Sequence, residues 1–426
     1  MNIGILYLDR KDLIKANATL LEALEIWKRL SKINPVKYEF SIAMIKANLG
    51  NLYFAQNNYA DSKAAFLEAL EIINRLVKTN PQSYKPDLAN IQLNLGVLYM
   101  SEKDYDKAEA IYLPSLETWK SLANTNPQIY EPELARTLNN LGNLYRDKND
   151  FLKAEATILE ALEIYQRLAK TDSQAYEPGL AIIQGSLGAL YMQNNDNDKA
   201  EITYLEAIRT YQHIIEYNPK VFELEIAAIH FNLGVIYQNK GNMASAAIQY
   251  ENNLLIREKW ATIAPEAYEY IRFLFSFEFE KFCNTWRNML KTEAEKMIPQ
   301  EKLVKLYERL YQKNNTNKYL VQQYTRYLDC LAWYQLFAKK FKDSEITARR
   351  LLELDATQNW IKTKLAHALL FQGKYEEAES IYLTLKLQKN ERGKSYTTIL
   401  EEDFSALEQA GITLSHIKKI QRLLKQ

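Results

Sequence analysis

The chain has 426 residues, 47% of them hydrophobic, with 54 basic and 53 acidic side chains and a net charge of +1. That is enough apolar material for a large core or a long repeat array. The charge balance argues against a nucleic-acid or anionic-membrane partner, since either needs a surplus of Lys and Arg.

The predicted elements follow a repeated motif. Ile3-Gly4-Ile5-Leu6-Tyr7 opens the chain and Leu49-Gly50-Asn51-Leu52-Tyr53 comes next; the glycine then recurs at 96, 142, 188 and 234, each step 46 residues. A fixed period of this size signals stacked supersecondary units. Met1 falls partway into the first helix of a unit, so the first repeat is expected to be incomplete. Its open apolar edge is a second expected place for a partner contact.

Within each unit, apolar residues three and four apart predict two amphipathic helices. In the third unit, helix A is expected from Pro86 to about Met100, followed by a polar turn over 101–104. Helix B runs from Tyr105 until Asn126-Pro127 ends it. A small residue stands twelve positions after each glycine (Ala16, Ser62, Ala108, Ala154, Ala200, Ala246), so the two helices should cross closely there. Proline sits 31 residues after the glycine in five of six units, with an aromatic three residues later. Pro114, inside one helix B, is expected to kink or break it at a cost of roughly 3 kcal/mol.

These residues resemble the tetratricopeptide repeat. The family pairs Leu-Gly-x-x-Tyr on helix A with Ala, a large apolar residue and Ala on helix B, here Leu141, Gly142, Tyr145, Ala154, Ile158 and Ala161. The resemblance implies an all-α, right-handed solenoid of helix-turn-helix repeats, with helix A lining a concave groove. The usual period is about 34, so the longer unit implies roughly three extra helical turns. Long-period arrays of this kind look like bacterial tetratricopeptide proteins, some of which carry or accompany a caspase-like protease domain.

From about residue 266 the register decays. Phe273, Phe275, Phe277 and Phe279 alternate as in a strand, but a helix is predicted because a lone strand has no partner. A second helix is expected after Pro299, around 303–311. The period then returns at 34, with Ala332, Ser344, Ala348 and Leu351 matching Ala366, Ala378, Tyr382 and Leu385. A polar loop over 388–395 leads to short helices near 402–410 and 413–424, read as a cap. The expected organisation is six 46-residue repeats over 1–264, a divergent helical repeat over 265–328, two 34-residue repeats over 329–387, and a loop with capping helices over 388–426.

Motifs for catalysis are weak. Gly393-Lys394-Ser395 lacks the earlier glycine of a P-loop, since Gln388 stands there, and no strand precedes it. Cys283 could be paired with His213 or His230, but the pattern around them is helical and builds no oxyanion hole. The four histidines lack zinc spacing. No enzyme activity, metal or cofactor is therefore expected. No run of about 18 apolar residues suggests a membrane span, no secretory signal is seen, and the two cysteines read as reduced thiols of a cytoplasmic protein.

The polar signal is an asparagine two residues before each glycine: Asn2, Asn48, Asn94, Asn140 and Asn232, with Ser186 in the fifth unit. Asn offers a donor and an acceptor, which suits a peptide unit; an inter-repeat hydrogen bond is the alternative use. On the same helices the central unit offers Arg136, Asn139, Asn143 and Arg146, and its neighbour offers Asn51. Arginine grips carboxylates bidentately. The expected ligand is an extended peptide or partner protein with an acidic residue or C-terminal carboxylate at Arg136 and Arg146. Local salt bridges to Glu133 or Asp147 are the alternative. The expected function is a non-enzymatic protein-interaction scaffold or adaptor. The alternative is a regulatory or sensor subunit controlling a separate effector, such as a caspase-like protease, in a bacterial defence or signalling system.

Overall fold

The computed structural model describes residues 13–217, 222–263, 265–355, 359–390 and 393–425. The first motif copy at 3–7, Asn2, Pro219 and the N-terminal edge lie outside the described residues. The chain divides into two compact units, Met1–Asn242 and Met243–Gln426. Both are built from stacked helical hairpins. Among the described residues the one β pairing is an isolated bridge between Lys389 and Ser395.

The first unit holds α1 (Leu13–Ser31), α2 (Pro35–Ala55), α3 (Tyr59–Thr79), α4 (Pro81–Ser101), α5 (Tyr105–Thr125), α6 (Pro127–Asp147), α7 (Phe151–Thr171), α8 (Ser173–Gln193), α9 (Asn197–Tyr217) and α10 (Glu223–Asn239). Helices α4, α6 and α8 start at Pro81, Pro127 and Ser173, a spacing of 46 that fits the sequence period.

Helix A starts five residues earlier than its pattern suggests. Asn80 caps α4 by accepting from the Ser83 N–H at 3.2 Å, and Pro81 takes the first helical position. The helix then runs through Pro86, losing one backbone bond while α3 and α5 pack along it. Pro81 and Pro127 therefore each stop one helix B and start the next helix A, across a joint of one residue. Helix α5 is likewise continuous through Pro114, contrary to the expected break. Pro114 stands on an exposed face, where water can solvate the freed carbonyl.

The turn between A and B is three residues long and closes both helix ends. Lys103, in the left-handed region at φ 58°, follows the last turn of α4. Its N–H bonds the Met100 carbonyl at 3.0 Å, and the Asp104 N–H reaches back to the Tyr99 carbonyl at 2.9 Å. Asp104 then caps α5 by accepting from the Lys107 N–H at 3.3 Å. Asn149-Asp150 and Asn195-Asp196 repeat this arrangement.

The motif glycine is set by the helix crossing. A Cβ on Gly50, Gly96, Gly142 or Gly188 would lie 2.3–2.7 Å from Phe66, Tyr112, Ile158 or Tyr204, each sixteen residues on. The small residue at twelve touches the same spot: the Ser62 hydroxyl donates to the Gly50 carbonyl at 2.8 Å. At four joints the aromatic three residues into helix A packs on the preceding helix B, in the pairs Trp27–Tyr38, Trp119–Tyr130, Tyr165–Tyr176 and Tyr211–Phe222, while Tyr84 meets Phe40 of α2. Such pairs contribute about 0.5–1.5 kcal/mol each beyond the burial of their area.

The second unit holds α11 (Met243–Ile263), α12 (Pro265–Met289), α13 (Met297–Lys313), α14 (Lys318–Phe337), α15 (Phe341–Leu354), α16 (Asn359–Phe371), α17 (Tyr375–Lys386), α18 (Tyr396–Gln409) and α19 (Ser415–Lys425). The alternating phenylalanines lie within α12. Helices α18 and α19 bury Tyr396, Leu400, Phe404, Ile417, Ile420 and Leu424 in one core with Tyr382 and Leu385 of α17. No helix among the described residues is long and apolar enough to cross a membrane.

Candidate binding surface on the inner helices

In the first unit α2 touches α4, α4 touches α6, α6 touches α8 and α8 touches α10. Among the described residues the intervening helices make no comparable contact with one another. The A helices thus form the inner layer and the B helices the outer one. On successive A helices stand Asn48 and Asn51, then Asn94, then Arg136, Asn140 and Asn143, then Asn232, all half-buried or exposed.

Asn139 departs from this row. It is only 6% exposed, and its Oδ1 has no hydrogen-bond partner among the described residues. A residue next to Asn140 on a helix points about 100° away from it, which here turns the side chain into the packing.

The two arginines differ in how they are held. Arg146 donates from Nε and Nη2 to Asp147 Oδ1 at 3.0 and 2.8 Å, and from Nη1 to Asn143 Oδ1 at 3.0 Å. Asn143 in turn donates to the Ser186 hydroxyl of the next inner helix at 3.4 Å. Arg146 is therefore a bracket that orients Asn143. Arg136 is more exposed and donates to Asn90 Oδ1 of the preceding inner helix at 2.9 Å. It also forms a 2.5 Å ion pair with Glu133 Oε2. Greater exposure and fewer hydrogen bonds leave Arg136 the more accessible of the two to a ligand carboxylate.

Asn232 already has a structural use. Its amide donates to the Tyr204 hydroxyl at 2.9 Å, bridging α9 and α10. Burial pushes the Tyr204 phenol up to about 12, so the hydroxyl stays protonated. Asn90, Ser186 and Gln193, which donates to the Arg146 carbonyl at 3.2 Å, belong to the same inner network. Of these, Gln193 is the one that the repeat pattern does not single out, because it lies past the glycine motif at the end of α8.

The residues weighed for catalysis are placed otherwise. Cys283 is fully buried, and burial pushes its thiol far up, away from a nucleophilic thiolate. Lys394 donates to both carboxylate oxygens of Glu402, and Ser395 caps α18 by accepting from the Thr398 N–H at 3.2 Å. The second unit also buries a polar cluster that the sequence did not flag. His367 Nδ1 lies 2.9 Å from the Tyr382 hydroxyl, and its Nε2 lies 3.2 Å from Asp403 Oδ2. Lys364 stands 4.6 Å over the Trp333 ring and 4.0 Å from Asp403. Burial works against the Asp403 charge, but the His367 hydrogen bond and the Lys364 charge hold its carboxyl below the ordinary range. No group of His, Cys, Asp and Glu among the described residues is arranged to hold a metal.

Residues 87–167 and 133–213 match one model of the tetratricopeptide-repeat family, and residues 42–82 match a second. No curated protein matches the chain in sequence. The crystal structure of BtubC (BKLC) from P. vanneervenii is similar over 58% of this chain and 92% of its own, with 24% identity and a TM-score of 0.47. The apo form of the quorum sensor NprR from B. thuringiensis is similar over 83% of this chain and 85% of its own, with 15% identity and a TM-score of 0.46. Pseudomonas aeruginosa pilF is similar over 56% and 90%, with 16% identity and a TM-score of 0.35. Likeness at this level says nothing of what the chain binds.

Proposed function

We propose that this chain is a tetratricopeptide-repeat protein that works as a non-enzymatic scaffold or adaptor, binding an extended peptide or partner-protein segment along the inner helices of its first unit. What supports this reading is the row of half-buried and exposed amides repeated along the A helices, with Arg136 among them. Amides can pair with both the N–H and the C=O of an extended backbone, which gives affinity with little sequence demand. Arg136 adds selectivity for an acidic side chain or a C-terminal carboxylate, which takes over from Glu133. Arg146 acts behind it by holding Asn143.

The test starts from affinity capture with the full chain and identification of the captured partner by mass spectrometry. Its binding is then measured by titration. Arg136→Ala should weaken binding by about tenfold, the scale of one charge-assisted bond. Arg146→Ala should cost less, and raised salt should narrow the gap between wild type and Arg136→Ala. Unchanged affinity in the Arg136→Ala/Arg146→Ala chain removes the proposal. A partner that responds to ligand binding with altered activity would instead favour a regulatory subunit.

A further inference from the structure

The outer layer of the first unit carries a pattern that the inner surface does not use. Leu21, Leu67, Leu113 and Leu159 occupy one position on α1, α3, α5 and α7, 46 residues apart, and each is 37–44% exposed. A lone exposed leucine is ordinary; four in register on consecutive outer helices make a stripe. Each has an exposed alanine three residues before it, which keeps the approach to the leucine low and open. Each also has an exposed glutamate four residues after it, on the same face: Glu25, Glu71, Glu117 and Glu163. Glu25 and Glu71 pair with Lys28 and Arg75 of their own helices, while Glu117 and Glu163 have no ion pair among the described residues. The pattern stops at α9, where Arg209 stands in the glutamate position.

We propose that this stripe docks a basic amphipathic helix of a partner protein, laid across the outer helices. Its apolar face would cover the leucines, and its Lys or Arg side chains would meet the glutamate row, with Glu117 and Glu163 as the strongest acceptors. Charge selects this occupant. A second copy of the chain brought stripe to stripe would set glutamate rows against each other, and an anionic lipid surface would be repelled by the same row. Among the described residues the outer helices contact one another less than the inner ones do, so the docked helix would also bridge neighbouring outer helices. The surface is separate from the inner one and stands without it.

The test uses the full chain and a labelled synthetic peptide of about 18 residues, Leu and Lys arranged as an amphipathic helix. A scrambled peptide of the same composition is the control. Fluorescence anisotropy should show tighter binding of the ordered peptide. Leu67→Ser with Leu113→Ser and Leu159→Ser should weaken it about tenfold while the circular dichroism spectrum stays unchanged, since these side chains are exposed. Glu117→Lys with Glu163→Lys should weaken it by a similar factor, and Arg136→Ala should leave it unaltered. Equal affinity in the triple serine chain, or for the scrambled peptide, overturns the proposal. So does sedimentation showing that wild type self-associates and that the serine changes abolish the dimer.

Discussion

The hairpins of the first unit and the α14–α15 hairpin of the second solve one packing problem with different side chains. In both, the helices cross where a residue of A meets the residue twelve positions later on B. The Ser62 hydroxyl donates to the Gly50 carbonyl at 2.8 Å, and the Ser344 hydroxyl donates to the Ala332 carbonyl at the same distance. They differ in the residue at sixteen. Phe66, Tyr112, Ile158 and Tyr204 fill the crossing in the first unit, and each faces a glycine. In the second unit Ala348 stands there, and the facing residue is Ala332; both are fully buried. The Ala–Ala pair carries less side-chain volume than a glycine facing a large residue, so it divides a smaller filling between the two helices. The outer helix also shortens, from 21 residues in α3 to 14 in α15, without moving the crossing away from the turn.

That comparison can be broken at one crossing. Gly142→Ala places a Cβ 2.4 Å from Ile158 Cγ1 and should lower stability by about 1–3 kcal/mol. Ile158→Ala alone opens a cavity at a cost of about 2–5 kcal/mol. The double variant recreates the Ala332–Ala348 pairing, so its loss should fall short of the sum by more than about 1 kcal/mol. Urea unfolding followed by circular dichroism checks this, and simple additivity would show that the two crossings are not equivalent. Gly185 is the control: a Cβ there meets nothing within 4 Å, and Gly185→Ala should gain about 0.5–1 kcal/mol through helix propensity.

A second, smaller effect concerns how neighbouring hairpins recognise each other. Lys63 pairs with Glu102 at 2.5 Å, but at the corresponding positions one hairpin on, Glu109 pairs with Lys148 at 2.8 Å, and further on Glu201 pairs with Lys240 at 2.6 Å. The sign is reversed between the first of these joints and the later ones. In the second unit Glu345 takes the corresponding place and accepts from Gln372 and Lys374 at 2.9 and 2.7 Å. The groups of the first-unit pairs are about a quarter to a third exposed, and pairs of that kind are worth at most about 1 kcal/mol. Lys148→Glu sets the new carboxylate against Glu109 and Asp106 and should cost about that much. Adding Glu109→Lys should recover most of it by rebuilding the pair with the signs of the Lys63–Glu102 joint. A double variant no more stable than Lys148→Glu alone would mean that charge order does not help set hairpin order.

The smallest effect is a surface titration. The Glu177 carboxylate, 2.6 Å from His213 Nδ1, raises the imidazole above 6.5. A group whose folded value is raised gives its full stabilisation below the unfolded value and loses it as pH climbs through the folded one. The contribution of His213 should therefore fade from about pH 6.5 upward. Glu177→Gln should return the His213 NMR titration to the ordinary value; an unmoved midpoint would rule the contact out as the cause.

Much of the inner layer was legible because its signals are local. The turn needs a polar residue able to enter the left-handed region and then Asp or Asn as a cap, and Lys103-Asp104, Asn149-Asp150 and Asn195-Asp196 say so within two residues. The start of helix A was misread because Pro86 looks like a first-turn proline; Asn80-Pro81, one turn earlier, is the true start signal. Arg136 and Arg146 look alike in sequence. They separate only in three dimensions, where Arg136 reaches Asn90, 46 residues back, and Arg146 ties down Asn143 beside it.

The sequence alone determined the hairpin unit. Helix periodicity, caps and turn chemistry act over a few residues, and the glycine recurs because the helix sixteen residues on leaves no room for a Cβ. The tertiary structure decided which polar groups are free to act. It buried Asn139, assigned Asn232 to Tyr204, left Arg136 the looser arginine, and sealed His367 between Tyr382 and Asp403. Those outcomes depend on side chains that come together from different helices, and the spacing along one helix does not encode them.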